Sequence, residues 1–148
     1  MYGTDLEYQS HRSVASYLNG EYWGLYNIRE KVNEHFLASK ANVDPDEIDI
    51  LTNNAEIVHG TNEEYLNLIN FISGNSLTIQ ENYEYVKSKI DIDNFIIHNV
   101  IQIYGDNRDW PGNNIKFWKS DGGKWRWILY DTDSVSYTHL RAHETQSD

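Results

Sequence analysis

Three polar side chains near the carboxyl end of the sequence have types and a spacing that suit phosphate chemistry. Asp109 precedes Asn114 by five positions, and Asp131 follows a predicted β-hairpin. Phosphoryl transfer needs cations held against the phosphates and a carboxylate that orients the attacking hydroxyl. Oxygen ligands from Asn114 and Asp131 suit Mg²⁺, and Asp109 would accept the hydroxyl proton. The set therefore predicts a site for cation-assisted phosphoryl transfer.

Two other interpretations of these residues remain open. Asn and Asp commonly cap turns, so Asn107, Asp109, Asn113 and Asn114 could serve only the loop that contains them. Asp109 and Asp131 could also form the carboxylate pair of a glycosidase, although such a pair does not require the accompanying Asn. Protein kinases place an Asp, an Asn five positions later and a metal-binding Asp in this order. Phosphoryl transfer is therefore the favoured interpretation.

The elements around the three residues must hold them together. Residues 91–104 predict a strongly apolar, buried helix that stops at Gly105, and a polar loop follows. Residues 115–119 and 124–130 predict a β-hairpin that turns at Asp121-Gly122-Gly123 and leads to Asp131. Four of the five tryptophans lie between positions 110 and 127, so we expect this hairpin to be well buried on one face.

Earlier in the chain the patterns predict a mixed α+β fold. Asn19-Gly20 is a strong hairpin turn signal between strand candidates at 13–18 and 22–28. A helix is predicted after Lys31, and a short strand at 48–51. Two antiparallel helices are predicted over 61–90, each opened by a capping box. The boxes are Thr61-x-x-Glu64 and Thr78-x-x-Glu81, and the predicted buried stripes are Tyr65, Leu68, Ile69 and Ile72, then Ile79, Tyr83, Val86 and Ile90.

Composition narrows the class of protein. The 148 residues carry 12 Lys plus Arg against 23 Asp plus Glu, a formal charge of -11 that argues against binding a nucleic-acid backbone. The mean hydropathy is -0.69, and no apolar run approaches the roughly 20 residues of a membrane-spanning helix. Met1 to Asp5 show no signal peptide. With no cysteine, disulfides and thiolate zinc sites are excluded.

Longer motifs carry a resemblance to a known family. They are Tyr17 to Tyr26 with Glu30, then Asp93-Asn94-Phe95, then Asn107-x-Asp109-Trp110-Pro111-Gly112-x-Asn114-Ile115-Lys116, and finally Trp125-Arg126-Trp127-x-Leu129-x-Asp131-x-Asp133. Together they resemble the spore coat protein H (CotH) kinase family over nearly all of residues 14–133. The motifs are long and occur in the family's order.

The resemblance implies an atypical protein-kinase fold with a β-hairpin of the N-lobe and a mainly helical C-lobe. It also implies phosphate transfer from ATP, with Mg²⁺ or Mn²⁺, to Ser or Thr hydroxyls of a protein. The resemblance places that protein at the spore coat or cell surface. Separately, the formal charge of -11 favours a basic substrate. Asp109 matches the catalytic-loop Asp, and Asn114 and Asp131 match the metal-binding and nucleotide-binding pair. We expect Asp133 to assist the metal, and Glu30 stands where the connector between lobes would meet adenine.

Some kinase features are missing from the sequence. Asn107-Arg108-Asp109 replaces His-Arg-Asp and Asp131-Thr132-Asp133 replaces Asp-Phe-Gly, as expected of the CotH family. No Gly-rich phosphate loop and no paired strand Lys precede Ser13. Residues 1–133 are therefore expected to form a partial kinase-like domain that is inactive alone. The alternative is a non-catalytic kinase-like module that binds partners through its aromatic, acidic surface.

The last residues break the apolar periodicity. The segment from Ser136 to Thr145 resembles translated adapter read-through, so residues 134–148 are expected to be a read-through or disordered tail. His139 and His143 are four apart, but Leu140 stands where the zinc-protease pattern needs Glu. The remaining histidines, His98 among them, form no metal-ligand spacing and are predicted to be surface or core residues.

Overall fold

The computed structural model describes residues 5–131, which form an α+β fold as the sequence predicts. The strands are β1 (Glu7–Tyr8), β2 (His11–Leu18), β3 (Glu21–Arg29), β4 (Ile48–Thr52), β5 (Glu56–His59), β6 (Lys116–Ser120) and β7 (Arg126–Leu129). The helices are α1 (Glu34–Ala41), α2 (Glu63–Gly74), α3 (Gln80–Lys89) and α4 (Ile92–Tyr104), with a 3-10 turn at Pro45–Glu47. Five strands form one sheet in the order β1-β7-β6-β4-β5, and β2 pairs only with β3.

The three central strands of the five-stranded sheet, β7, β6 and β4, are buried on both faces. In the register of β4 with β6, Ile50 lies opposite Trp118 and Leu51 lies opposite Phe117. Because side chains alternate along a strand, these two pairs point to opposite faces. Ile50 and Trp118 pack with Leu37 of α1 in one hydrophobic cluster. Leu51 and Phe117 pack with side chains of α2 and α3 in another. The prediction that the Trp-rich hairpin is buried on one face is therefore wrong, since Trp118 lies on one face and its hairpin neighbours Trp125 and Trp127 on the other.

Helix α4 has the predicted bounds but buries its polar side. Asp91 caps its start by accepting a hydrogen bond from the Asn94 amide, and the fully or nearly buried side chains are Asn94, His98 and Gln102. Its exposed apolar residues are Phe95, Ile96, Val100, Ile103 and Tyr104. The reason is a pair of bonds from Asn94 to the Trp127 backbone, which turn this face toward β7. The prediction of a helix buried by its apolar residues is wrong.

The hairpin around Asn19-Gly20 is confirmed. Both turn residues have positive φ, 50° and 87°, the combination that two-residue hairpin turns favour. A register shift between Ser16 and Tyr17 adds a bulge. Six aromatic or aliphatic side chains of β3 and the turn region are more than half exposed, among them Trp23 and Leu25, the latter 74% exposed. Two strands alone do not bury this apolar surface.

The helices over 61–90 are present, but neither predicted capping box forms. Helix α2 begins after Asn62 and α3 begins after Ile79, and neither preceding residue makes a side-chain cap. The Thr61 amide instead donates to Asp49 Oδ1 at 2.7 Å, and the Thr78 hydroxyl pairs with Ser76. The predicted stripes are only partly right: Leu68 and Val86 are buried, whereas Ile69, Ile79 and Tyr83 are exposed.

Two strands were not predicted from the sequence. β1 is only two residues long and pairs in parallel with β7, and β5 pairs with β4 across a register shift. β1 is held by Arg126, whose guanidinium bonds Glu7 at 3.0 Å and also Asp5 and Asp91. Within residues 5–131, none of the helices is both long enough and apolar enough to cross a bilayer.

Candidate functional site

The β6–β7 hairpin brings Asn114 and Asp131 to the same end. Asn114 lies two residues before β6, and Asp131 lies two residues after β7. Because these strands are antiparallel, both residues stand at the end opposite the turn at 121–123. Both also have left-handed backbone, with φ of 57° and 49°. Asn and Asp adopt this region more readily than other non-glycine residues, and such positions concentrate at functional sites.

The side-chain oxygens of this pair are available to a cation. Asp131 is exposed and Asn114 is half-buried. Within the described residues, neither side chain makes a hydrogen bond or ion pair to another side chain or to the backbone. In that same part of the chain, His, Cys, Asp and Glu form no group of three that could hold a metal by themselves. An ion here would therefore take further oxygens from a substrate and from water, as Mg²⁺ commonly does.

Asp109 begins a tight turn in the loop between α4 and β6. Its amide donates to Asn107 Oδ1 at 3.2 Å, and its carbonyl accepts from the Asn113 amide at 2.7 Å. The residue is exposed, so its carboxylate is accessible from solvent. Asn107 and Asn113 therefore do serve as turn residues, which confirms that part of the alternative interpretation. The loop brings Asp109 and Asn114 together on one short connection.

The far end of the loop is fixed to the central sheet. The Ile115 carbonyl accepts from the Asn53 amide at 2.9 Å and from Thr52 Oγ1 at 2.8 Å. Next to it, Lys116 Nζ lies 4.9 Å from the centre of the Tyr130 ring. Burial lowers the pKa of Lys116 and raises the pKa of Tyr130. Sequence reasoning assigned no role to Lys116 and Tyr130, although each directly flanks the hairpin end that carries Asn114 and Asp131.

A cavity of about 200 Å³ lies beneath the loop. Its walls include the loop residues Trp110, Pro111 and Ile115, and it also contacts His98 of α4 and Asn53. His98 Nδ1 and Asn53 Oδ1 are buried and have no hydrogen-bond partner among the described residues. Burial lowers the pKa of His98 from 6.5 to about 4, so this ring is neutral near pH 7. Of the two positions predicted for His98, surface or core, the structure shows the core.

Glu30 lies in a different part of the fold from the loop that contains Asp109 and Asn114. Glu30 follows β3 on the two-stranded sheet, where its carboxylate accepts from the Ser10 amide at 3.1 Å and its carbonyl accepts from Gln9 Nε2 at 2.6 Å. It lines a pocket of about 380 Å³ whose residues all lie at the base of that hairpin. Its carboxylate thus has a local role at the strand end. Asp133 and the segment 134–148 lie outside the described residues.

Comparison with known proteins gives one match, which covers almost the whole chain. The family model described as CotH kinase protein matches residues 1–147 of the chain. No curated protein and no solved structure matches the sequence. The family match extends over almost the entire length, including the loop of Asp109 and Asn114 and the hairpin end at Asp131. The chain therefore belongs to the CotH kinase protein family.

Proposed function

We propose that this chain carries the catalytic loop and metal-binding hairpin of an atypical protein kinase that transfers phosphate from ATP to Ser or Thr hydroxyls of a protein. The observation that carries the proposal is the placement of Asn114 and Asp131 at one hairpin end, with Asn114 on the same connection as Asp109. In this proposal β2 and β3 belong to the N-lobe, and α2 to α4 with the β6–β7 hairpin belong to the C-lobe.

Asp109 is the proposed base. The acceptor hydroxyl oxygen would form a bond to the γ-phosphorus of ATP as the bond from that phosphorus to the bridging oxygen of ADP breaks. The hydroxyl proton would pass to the Asp109 carboxylate, which is accessible from solvent. The two backbone bonds that fix the Asp109 turn would hold the carboxylate in place during this step.

Asn114 and Asp131 are the proposed ligands of Mg²⁺ or Mn²⁺, and Asp133 is a further proposed ligand. The donor set fits a hard cation, because it offers an amide oxygen and a carboxylate that no described residue engages. When bound, the ion supplies positive charge that offsets the charge of the phosphates. Glu30 is proposed only to lie near the nucleotide, since its carboxylate already accepts from Ser10.

A basic protein is the proposed substrate. The chain has a formal charge of -11, and charge of one sign attracts partners of the other sign before contact. A Ser-containing protein rich in Lys and Arg would match this charge.

A second candidate function is a non-catalytic binding module of the same family. The exposed apolar surface of the β2–β3 hairpin favours it, because patches of this kind commonly mark interaction surfaces. The two candidates differ in whether ATP binds and in whether Asp109 is needed.

The test is Mg²⁺-dependent transfer of labelled phosphate from ATP to a basic Ser-containing protein. It is run on the 148-residue chain and on any longer reading frame that contains it. Asp109→Asn should lower the rate by roughly 10² to 10⁴. Asp121→Asn is the matched control, since Asp121 is an exposed Asp at the opposite end of the same hairpin. Equal rates in the two variants would refute the catalytic role, and absence of ATP binding would favour the binding module.

A further inference from the structure

We infer that His98, Gln102 and Asn107 form a buried relay of hydrogen bonds that positions the loop of Asp109. The inference rests on the proposed role of Asp109 and adds three positioning residues to it. From the sequence, His98 and Gln102 had no role in the site, and Asn107 had only that of a turn residue. His98 and Gln102 are four residues apart on α4, so they lie one turn from each other on the same face.

The distances define a continuous path from the helix to the loop. Gln102 Nε2 lies 3.3 Å from His98 Nε2, and Asn107 Nδ2 donates to Gln102 Oε1 at 2.7 Å. Asn107 Oδ1 then accepts from the Asp109 amide at 3.2 Å. The backbone N–H of Asn107 also donates to the backbone carbonyl of Gln102 at 3.1 Å. Each member therefore bonds the next, and the last bond reaches the backbone of Asp109.

Chemistry fixes the direction of every bond. The Gln102 amide nitrogen can only donate, so His98 Nε2 must accept and the ring proton must lie on Nδ1. Gln102 Oε1 can only accept, so Asn107 must present its amide nitrogen to Gln102 and its oxygen to Asp109. A single arrangement of the three side chains satisfies all the contacts. A relay with one arrangement restricts the loop to one orientation.

Burial makes the relay costly to break. His98 is 0% exposed, Gln102 1% and Asn107 5%. A buried polar group that loses its partner keeps the desolvation penalty, so these bonds matter more than equivalent bonds at the surface. Asp109 itself is exposed. An exposed carboxylate on a surface loop thus has its backbone fixed from the protein interior.

The first test measures hydrogen exchange at the Asp109 amide in the 148-residue chain, which needs no enzymatic activity. Gln102→Met removes the amide that links His98 to Asn107, and Asn107→Ala removes the acceptor of the Asp109 amide. We expect exchange at Asp109 to become about five to ten times faster in both variants. Asn107 lies in the loop after α4 and in neither hydrophobic cluster, so Asn107→Ala keeps the test usable if Gln102→Met fails to fold.

Asn94→Leu is the matched control. Asn94 is a buried amide on the same helix, 3% exposed, but its side chain bonds Trp127 and Glu7 and not the loop. Asn94→Leu should lower the melting temperature and speed exchange at Trp127 in β7 without changing exchange at Asp109. Unchanged exchange at Asp109 in Gln102→Met and Asn107→Ala, or an equal change in Asn94→Leu, would overturn the relay.

A second readout separates the relay from the proposed function. Where wild-type transfer is measured, Gln102→Met should lower kcat with little change in the KM for ATP, because it misplaces the base and leaves the nucleotide contacts intact. A larger change in KM than in kcat would contradict a positioning role. If the exchange results hold but neither the 148-residue chain nor a longer reading frame that contains it transfers phosphate, the proposed function fails and the relay stands.

Discussion

Asn114 and Asp131 combine a chemical type with an unusual backbone. A left-handed conformation is tolerated by Asn and Asp, whose short polar side chains can bond locally. In this protein neither side chain does so with another described residue. The left-handed backbone therefore explains why Asn and Asp stand at these two positions. It does not explain their side-chain oxygens, which bond no other described residue. A role toward a cation explains both observations together.

His98 gives the protein a pH dependence of defined sign. In the unfolded chain a histidine takes up its proton near pH 6.5, but burial shifts the pKa of His98 to about 4 in the folded state. Between these values the unfolded state binds more protons, so stability falls as the pH falls. The expected loss is up to about 3 kcal/mol at pH 4, at 1.36 kcal/mol for each pKa unit.

Denaturant unfolding at pH 7, 5.5 and 4.5 checks this prediction. His98→Gln should remove the part of the pH dependence that lies in this window. His35→Gln is the control, since the His35 side chain is 71% exposed. If His98→Gln and wild type lose stability in parallel as the pH falls, the account of His98 is wrong.

At the scale of elements, local patterns predicted those features that neighbouring residues determine. The Asn19-Gly20 turn needs only its own positive φ values, and the helix from Ile92 needs only Asp91 as a cap. The orientation of α4 depends instead on bonds between Asn94 and Trp127, 33 positions apart. Thr61 likewise bonds Asp49 rather than capping its helix. Periodicity within one segment contains no information on such partners.

At the candidate site too, features determined by neighbouring residues were predicted and features that depend on distant partners were not. The order and spacing of Asp109, Asn114 and Asp131 were visible in the sequence, because a short loop and one hairpin connect them. The contributions of His98 and Gln102 could not be predicted from the sequence. Polar residues along one face of an apolar helix normally indicate the face exposed to solvent, whereas this face is buried. A spacing of four between His98 and Gln102, with Asn107 five residues further on, is the signal that could have indicated them.

The β2–β3 hairpin should be the least protected sheet in the molecule. A two-stranded hairpin is marginally stable by itself, and its apolar side chains are largely exposed here. Its amides should exchange at least about 100-fold faster than those of β4 and β6, which lie inside the five-stranded sheet.

Hydrogen exchange resolved by strand, at two protein concentrations, measures this difference. Equal protection of β2 and β6 at both concentrations would show that the hairpin is as stable as the core. That result would contradict the view that its apolar surface is open to a partner or to further chain.

At the scale of the whole molecule, the acidic residues divide into exposed carboxylates and carboxylates paired with cations inside the fold. Much of the formal charge of -11 lies on exposed carboxylates, and some carboxylates are used inside the fold: Asp49 and Glu64 pair with the buried Lys119, and Glu7 with Arg126. Asp109 and Asp131 are exposed at the loop and at the hairpin end. The proposal assigns the chemistry to these two and gives them different tasks.

The most direct test of these two tasks is the Mg²⁺ dependence of the initial rate of phosphate transfer. Asp131→Asn should raise the Mg²⁺ concentration for half-maximal rate at least roughly 10- to 100-fold, the loss expected even for an outer ligand partner. Asp109→Asn should instead lower the rate at saturating Mg²⁺ without shifting that concentration, and Asp121→Asn should change neither. An unchanged Mg²⁺ dependence and rate in Asp131→Asn would contradict the account.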